Sequence, residues 1–194
     1  MDKVLGIAGS PRRNGNTETL LKEFLRGAGK NGLETELIIL CNLNVSPCTS
    51  CDLCQKDGEC VIEDDMQVMY KKLADARFIV FASPVYFSGV SAQLKAFIDR
   101  CQSLWSKKYL LNQPLISPGK PARKGFFIST SGSLGNEKVF DGSLATIKAI
   151  FHVLEIEYTG ELLYQGMEKK DDILTHPNEM EEAFDLGLSL GNDQ

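Results

Sequence analysis

The 194-residue sequence lacks an apolar run near the ~18 residues that a membrane-spanning helix needs. Its first residues show no signal-peptide pattern and lead directly into a strand-like segment. A long basic block is also missing, and 26 acidic residues against 21 basic ones give a net charge of −5. These absences remove the usual signals for membrane and nucleic-acid partners. We expect a cytoplasmic protein that meets small molecules or other proteins.

Nothing in the composition favours disorder or a fibrous structure. Hydrophobic residues make up 43% of the chain and charged residues 24%, which is ordinary for a globular protein. The length fits one domain with a sizeable core. We therefore predict a single domain over residues 1–194, with a cysteine-rich insertion at about 41–63, called the cysteine loop below.

Short apolar runs alternate with amphipathic stretches along the chain. Five strands are predicted at residues 4–8, 33–40, 78–82, 126–128 and about 155–163. Helices are predicted from apolar spacing at residues 20–28, 66–74, 90–105 and 140–154, with a last helix starting near Pro177. Gly29 and Gly32 are expected to end the first helix. The alternation predicts a three-layer α/β sandwich with a mostly parallel sheet and long connections at 41–63 and 106–124.

The loop after the first predicted strand has the features of a phosphate site. Ligands of parallel sheets bind outside the carboxyl ends of the strands, and residues 9–17 lie at such an end, just before a helix. Backbone N–H groups, the helix dipole, the Ser10 and Thr17 hydroxyls and the Arg12 charge can together hold a phosphate monoester. An ordinary polar turn is the alternative interpretation.

Two better-known phosphate loops do not fit this segment. A Walker loop needs a lysine after Gly15, and Asn16 stands there instead. Gly6 and Gly9 lack the spacing of the dinucleotide fingerprint. The sequence therefore disfavours ATP and a Rossmann-type NAD site. We expect Asn16 or Asn14 to cap the first helix.

Two later loops should lie on the same rim of the sheet. The loop at residues 83–89 carries two aromatic residues, Tyr86 and Phe87, on a turn, which suits a planar ligand. Pro84 fixes the backbone there, and Gly89 lets backbone N–H groups approach ring heteroatoms. The loop at residues 129–133 offers further hydroxyl and amide donors, although a plain polar turn explains it equally well.

Four of the six cysteines crowd into one short stretch. Cys48, Cys51, Cys54 and Cys60 follow the spacing C-x2-C-x2-C-x5-C. Outside a secreted context such crowding favours a metal or redox centre over disulfides. Successive x2 spacings let one loop wrap around a cubane, as in bacterial ferredoxins, although the fourth spacing differs. Zinc fits the overlapping triplet poorly, but zinc, disulfides and free thiols stay open.

The remaining candidate ligands have ordinary explanations. Cys41 and Cys101 are interpreted as small core residues. His152 and His176 lie outside every motif, and no Ser/His/Asp triad is evident. The pair at residues 64–65 is interpreted as helix-start and solvated-face charge.

The segments Gly9-Ser10-Pro11-Arg12, Gly15-Asn16-Thr17 and Ser83-Pro84-Val85-Tyr86-Phe87, together with the cysteines, resemble a known family. It is the flavodoxin-like NADPH-dependent FMN reductase superfamily and, within it, the iron–sulfur flavoproteins. The resemblance implies a flavodoxin-like fold, a homodimer or homotetramer, and FMN held by its phosphate on the first loop and by its ring against the second. It also implies that Cys48, Cys51, Cys54 and Cys60 hold one [4Fe-4S] cluster. The candidate cofactor-binding residues are Ser10, Arg12, Asn14, Gly15, Asn16, Thr17, Pro84, Val85, Tyr86, Phe87, Ser88, Gly89, Ser131 and Gly132.

These expectations combine into a redox function. A flavin accepts two electrons as hydride and releases them singly, whereas a cluster carries one electron at a time. We expect an FMN- and [4Fe-4S]-dependent oxidoreductase that moves electrons between a small donor, ferredoxin or NAD(P)H, and an acceptor. One alternative is a cluster-free NAD(P)H-dependent FMN, quinone or azo reductase. The other is a non-catalytic flavin-binding or zinc-stapled protein.

Overall fold

The computed structural model describes residues 2–116, 119, 121–136 and 138–191. The strands are β1 Lys3–Ala8, β2 Glu34–Ile39, β3 Phe78–Pro84, β4 Lys124–Thr130 and β5 Glu157–Tyr164. The helices are α1 Asn16–Lys30, α2 Met66–Asp75, α3 Ala92–Arg100, α4 Gln102–Tyr109, α5 Asp141–Val153 and α6 Pro177–Ser189. None of these helices in the described part of the chain has both the length and the apolar character to span a bilayer.

The five strands form one parallel sheet in the order β2-β1-β3-β4-β5. This is the strand order of flavodoxin-like folds, whose topological switch point lies between β1 and β3. The predicted flavodoxin-like sandwich with a five-stranded parallel sheet is thus confirmed. The strand ends that flank the switch point are the ones that carry the predicted ligand loops.

Each face of the sheet has its own apolar core. Alternate side chains of the strands point to opposite faces, so Leu5 and Ile7 pack with α2, α3, α4 and α5 on one side. Val4 and Ala8 pack with α1 and α6 on the other side. The central strands are buried on both faces, which explains why they were readable as uninterrupted apolar runs.

The prediction of one continuous helix at residues 90–105 is wrong. The structure divides it into α3 and α4 at Cys101, and α3 begins only after Ser91, whose hydroxyl accepts the backbone N–H of Leu94. The apolar stripe continues through the junction, so periodicity alone did not reveal the break. The second long connection accordingly begins after Tyr109 rather than at residue 106. Of that connection, Ser117, Pro118 and Lys120 lie outside the described residues.

The predicted caps of α1 need correction at both ends. Gly15 is the N-cap and makes no side-chain cap, whereas Asn16 lies inside the helix. The Asn16 amide instead donates to the Lys169 carbonyl at 2.8 Å and so holds the helix start to the segment after β5. At the other end the helix runs through Gly29 to Lys30. Gly32, as predicted, closes it with a left-handed backbone and an N–H bond to the Gly29 carbonyl.

Helices α1 and α6 approach each other through two reciprocal glycines. A Cβ atom built at Gly27 would overlap the carbonyl oxygen of Phe184, and one at Gly187 would overlap that of Phe24. Each helix therefore presents a glycine to the backbone of the other, and the pairing closes one face of the sandwich.

We expect Gly27→Ala to lower the free energy of unfolding by about 2 kcal/mol, because overpacking outweighs the gain in helix propensity. The matched control is Gly29→Ala in the same helix, where the nearest atom to a new Cβ is Thr35 Cγ2 at 3.9 Å. The control should be neutral or stabilising by up to about 1 kcal/mol. Urea unfolding of both variants measures the difference, and equal effects would contradict the close approach.

A buried arginine joins the C-terminal ends of α2 and α5. Arg123 Nε donates to the Ala76 carbonyl and Nη1 to the Leu154 carbonyl, both at 2.9 Å, and Nη2 donates to the Leu73 carbonyl. These carbonyls belong to the C-terminal ends of α2 and α5, where helix dipoles favour a cation. Burial nevertheless lowers the pKa of Arg123 to about 10, partly offset by the charge of Glu155. The guanidinium thus remains charged at neutral pH.

Candidate redox site

A first cavity, of about 220 Å³, lies at the carboxyl ends of β1, β3 and β4 and is called the strand-end cavity. It brings together nine of the residues proposed from the sequence: Ser10, Arg12, Gly15, Asn16, Thr17, Pro84, Val85, Tyr86 and Gly132. Three segments distant in the chain therefore meet at the switch point of the sheet. Their role in binding FMN stays a prediction.

The first wall of this cavity is the turn that leads into α1. The Ser10 hydroxyl is buried and both accepts the Arg12 N–H at 3.1 Å and lies 3.2 Å from the Arg12 carbonyl, to which it donates. This turn places the start of α1 at the cavity, where Thr17 is buried. The first N–H groups of a helix have no partner within the helix, so they are available to an anion.

The second wall is a tight hairpin turn at the end of β3. Tyr86 and Gly89 exchange two backbone hydrogen bonds of 2.9 and 3.0 Å. Phe87 and Ser88 between them both have positive φ, of 50° and 60°, the pattern of a type I′ turn. Tyr86 lines the cavity, whereas the Phe87 side chain at the tip is fully exposed. A Cβ at Gly142 would overlap the Ser88 carbonyl, so this turn sits directly against the first turn of α5.

Some predicted residues lie beside the strand-end cavity and do not line it. They are Asn14, Phe87, Ser88, Gly89 and Ser131. Asn14 has a left-handed backbone, and its N–H donates to the Glu18 carboxylate at 2.8 Å. Ser131 is buried and accepts the Ser133 N–H at 3.1 Å, which shapes the loop after β4.

Three lining residues are absent from the candidate cofactor-binding residues: Thr130, Met167 and Glu168. Thr130 does fall in the loop at 129–133 that the sequence analysis placed on this rim. Thr130 belongs to β4, which extends two residues beyond its predicted end. Met167 and Glu168 follow β5 and belong to no motif, although the strand-end rule could have been applied to that strand too. The Glu168 carboxylate lies where a side chain at Gly132 would be, and its carbonyl accepts Arg12 Nη1 at 3.3 Å.

A second cavity, of about 350 Å³ and called the cysteine cavity, lies between the cysteine loop and the junction of α3 and α4. Cys48, Cys51, Cys54 and Cys60 all line it, and all four are free thiols. The other lining residues are Thr49, Ser50, Asp52, Val61, Ile62, Asp99, Arg100, Gln102 and Ser103. The predicted cysteine cluster is therefore assembled around one space by the fold.

The backbone of the cysteine loop is bent by residues in left-handed conformations. Ser50 and Asp52, on either side of Cys51, have φ of 51° and 60°, which is uncommon for residues other than glycine. Gly58 also has positive φ, and the Lys107 side chain occupies the space beside its Cα. Cys54 Sγ lies 3.5 Å from the buried Ser106 hydroxyl.

A buried ion pair closes the cysteine loop. Arg100 donates through Nη1 to the Ser46 carbonyl at 2.9 Å and to Asp64 Oδ2 at 2.5 Å, and through Nη2 to the Ile62 carbonyl at 3.2 Å. Asp64 does lie at a helix start, where its Oδ1 accepts the Met66 N–H at 3.0 Å. Its interpretation as a solvated charge is wrong, since its side chain is only 2% exposed. Burial alone would raise the pKa of Asp64, but hydrogen bonds from Arg100 and from the Ser46 and Met66 N–H groups hold it below its usual value.

The two remaining cysteines differ from each other. Cys101 is buried as predicted, and burial raises its pKa to about 12. Cys41 is exposed on the short helical turn Leu40–Asn42, so its interpretation as a core residue is wrong. The strand β2 ends at Ile39, before Cys41. Neither His152 nor His176 lines either cavity.

Helix α3 links the two cavities. At its start the Ser91 hydroxyl donates to the Gly9 carbonyl at 2.5 Å, and the Ser91 N–H donates to the Ser83 hydroxyl at 2.9 Å. At its end Arg100 enters the cysteine cavity. The nine residues of α3 span about 13 Å.

Within the described part of the chain, no three His, Cys, Asp or Glu side chains converge so as to hold one metal ion. The cysteines line the wall of a cavity instead. A mononuclear zinc site needs four ligands that converge on a tetrahedron. In a cubane cluster each thiolate binds a different iron, so the sulfurs surround a larger inorganic core.

The comparisons with known proteins identify the family. A profile of the NADPH-dependent FMN reductase family matches residues 3–157. An iron–sulfur flavoprotein from Methanocaldococcus jannaschii is 47% identical over 102 residues, which are 53% of this chain and 53% of that protein. Another from the same organism is 31% identical over 156 residues, which are 79% of this chain and 73% of the relative.

In the first of these relatives, and in two others from Archaeoglobus fulgidus and Methanosarcina thermophila, the matched region spans about half the relative's length. An NAD(P)H:quinone oxidoreductase from Methanothermobacter marburgensis superposes with a TM-score of 0.73 over 99% of this chain and 97% of its own, at 17% identity. That likeness concerns the fold. The profile and the longer match place the chain in the NADPH-dependent FMN reductase family, among the iron–sulfur flavoproteins.

Proposed function

We propose that the protein is an FMN- and [4Fe-4S]-dependent oxidoreductase that moves electrons between a small donor, NAD(P)H or ferredoxin, and an acceptor. The observation that carries the proposal is the cysteine cavity, where four free thiols line one space at the end of α3. The strand-end cavity at the other end of the same helix supplies a separate place for a flavin. Membership of the NADPH-dependent FMN reductase family supports FMN as the flavin.

The residues of the strand-end cavity fit a flavin phosphate on one side only. Arg12 and the start of α1 offer a positive field and free N–H groups to a phosphate. The Glu168 carboxylate lies over Gly132 and would repel it, although the Glu168 carbonyl accepts from Arg12 Nη1. The phosphate is therefore held on the α1 side. The aromatic ring of Tyr86, on the opposite wall, is available to pack against the isoalloxazine.

The residues of the cysteine cavity fit a cluster better than a single ion. The donor set consists of four thiols, the usual ligands of [4Fe-4S] centres, and they line a cavity without converging on one point. When bound, such a cluster supplies one-electron transfer beside a flavin that exchanges hydride. The chain's own contribution is to hold the loop closed through Arg100, whose buried side chain forms part of the cavity wall.

We also propose a homodimer or homotetramer. The support is the turn beside the strand-end cavity, where Tyr86 is half-exposed and Phe87 is fully exposed, so an interface would remove two neighbouring aromatic rings from water. Sedimentation of Phe87→Ser and of the unchanged protein compares their oligomeric states and tests this proposal.

The proposal is tested by anaerobic reconstitution followed by counts of flavin, iron and sulfide per chain. We expect one flavin and about four irons and four sulfides, with flavin bands over a broad absorption near ~400 nm. Flavin without iron, together with steady NAD(P)H oxidation, would favour a cluster-free FMN, quinone or azo reductase. Zinc without turnover would favour a structural metal site.

Arg12→Gln is expected to weaken FMN binding about 10- to 100-fold, the effect of losing one charge-assisted hydrogen bond. Riboflavin affinity should hardly change, since riboflavin has no phosphate. Titration with both flavins gives the ratio. Arg13→Gln is the matched control, because Arg13 pairs with Glu18 outside the cavity. An equal loss for both flavins would show that Arg12 supports the fold and does not hold the phosphate.

A further inference from the structure

One buried hydrogen-bond donor on the wall of the cysteine cavity has no partner. The Arg100 side chain is fully buried, and its two Nη atoms are occupied by Ser46, Ile62 and Asp64. Its Nε is buried as well, yet it donates to nothing in the described residues. A buried donor left unpaired costs about 1–3 kcal/mol, so such groups usually have a ligand or a function.

The position of Arg100 relative to the thiols gives this donor a natural acceptor. Arg100 lines the same cavity as all four cysteines, and its Nη2 donates to the carbonyl of Ile62, two residues after Cys60. The guanidinium therefore lies on the wall that the thiols share. A thiolate or sulfide at this wall would accept from Nε.

The charges around the cavity make Arg100 electrostatically unusual. It is the single cation among the residues that line the cysteine cavity, beside Asp52 and Asp99. Asp64 faces its Nη1 from the cysteine loop, and the Tyr70 hydroxyl donates to its carbonyl at 2.9 Å. A charge in this buried setting acts more strongly on its neighbours than one in water.

We propose that Arg100 Nε donates a hydrogen bond to a sulfur of the bound cluster and that its charge raises the reduction potential of that cluster. The inference rests on the proposed function. One-electron reduction adds one negative charge to the cluster without making or breaking a bond. Hydrogen bonds to sulfur and nearby positive charge both favour the more negative, reduced form. Asp64 acts as a positioning residue that fixes Arg100 and partly offsets its charge.

The test is a potentiometric titration of the reconstituted full chain with a chemical reductant, followed by the signal of the reduced cluster. Arg100→Lys keeps a cation beside Asp64 but removes the Nε donor. We expect it to lower the midpoint potential by about 59 mV or more, a tenfold change in the one-electron equilibrium. Asp64→Asn removes a negative charge and leaves Nε in place, so it should raise the potential.

Opposite shifts in these two variants separate the inference from a purely structural role. If Arg100 only closed the loop, both variants would lose cluster at similar rates and keep the original potential, which would overturn the inference. If Arg100→Lys takes up no iron, the midpoint potential of the cluster in Asp64→Asn becomes the test. A potential equal to or below that of the unchanged protein would overturn the inference. Unchanged protein that binds no iron would instead overturn the proposed function, and the inference with it. Arg26→Gln removes an exposed cation that pairs with Glu23 on α1, away from the cysteine loop; it is the control for remote charge and should leave the potential unchanged.

Discussion

Replacing Cys54 with alanine is expected to abolish iron incorporation and leave FMN binding intact. Cys54 lines the cysteine cavity from the short helical turn Leu53–Gln55. No residue of that cavity also lines the strand-end cavity, so the two sites lack a shared wall. Loss of one of four thiolates leaves an iron without its protein ligand. The measurement is iron, sulfide and flavin per chain, taken on the same reconstituted sample.

The matched control is Cys41→Ala, which removes an exposed cysteine outside the cavity. It should retain the full iron content and thereby exclude a general effect of losing a thiol. Loss of iron and FMN together in the Cys54 variant would show that the cysteine loop supports the fold. Iron retained at the level of the unchanged protein would remove Cys54 from the ligand set.

Arg123→Met should lower the free energy of unfolding by about 3 kcal/mol. The change removes all three hydrogen bonds that Arg123 gives to carbonyls at the ends of α2 and α5, and methionine offers no donor in their place. Those buried carbonyls are then left without a hydrogen-bond donor. The methionine stem recovers some packing, which keeps the loss below the sum of the three bonds. Urea unfolding of the apoprotein measures the effect without ligand linkage.

Arg26→Met is the matched control for Arg123. Arg26 pairs with Glu23 one turn earlier and lies over the Phe184 ring, but its side chain is 58% exposed. An exposed pair of this kind contributes about 1 kcal/mol or less. Similar losses in the two variants would mean that the helix ends find other donors once Arg123 is gone.

Features of local sequence were predictable, and features that join distant residues were not. The strands next to the switch point are buried on both faces, so their apolar runs are readable, and the strand-end rule then locates the ligand loops. The spacing of the cysteines places their sulfurs on one loop. By contrast, Arg100, the partner of Asp64, lies 36 residues away in another helix. No residue near Asp64 in the sequence indicates a buried ion pair.

The same distinction explains the other misses. From the sequence, Gly27 only weakens an amphipathic helix. The structure shows that it lets the backbone of Phe184 in α6 come close. Met167 and Glu168 carry no motif because the segment after β5 enters the cavity by topology. The break between α3 and α4 stays hidden because Cys101, at the junction, is as apolar as the helix stripe around it.

The anchoring of α3 at both ends makes this helix a spacer of fixed length. Its start is pinned to β1 and β3 through Ser91, and its end is pinned to the cysteine loop through Arg100. Hydrogen bonding along the helix resists compression. If the proposed flavin and cluster bind at its two ends, the helix fixes their separation within one chain. The rate of electron exchange between them is then governed by the difference between their reduction potentials.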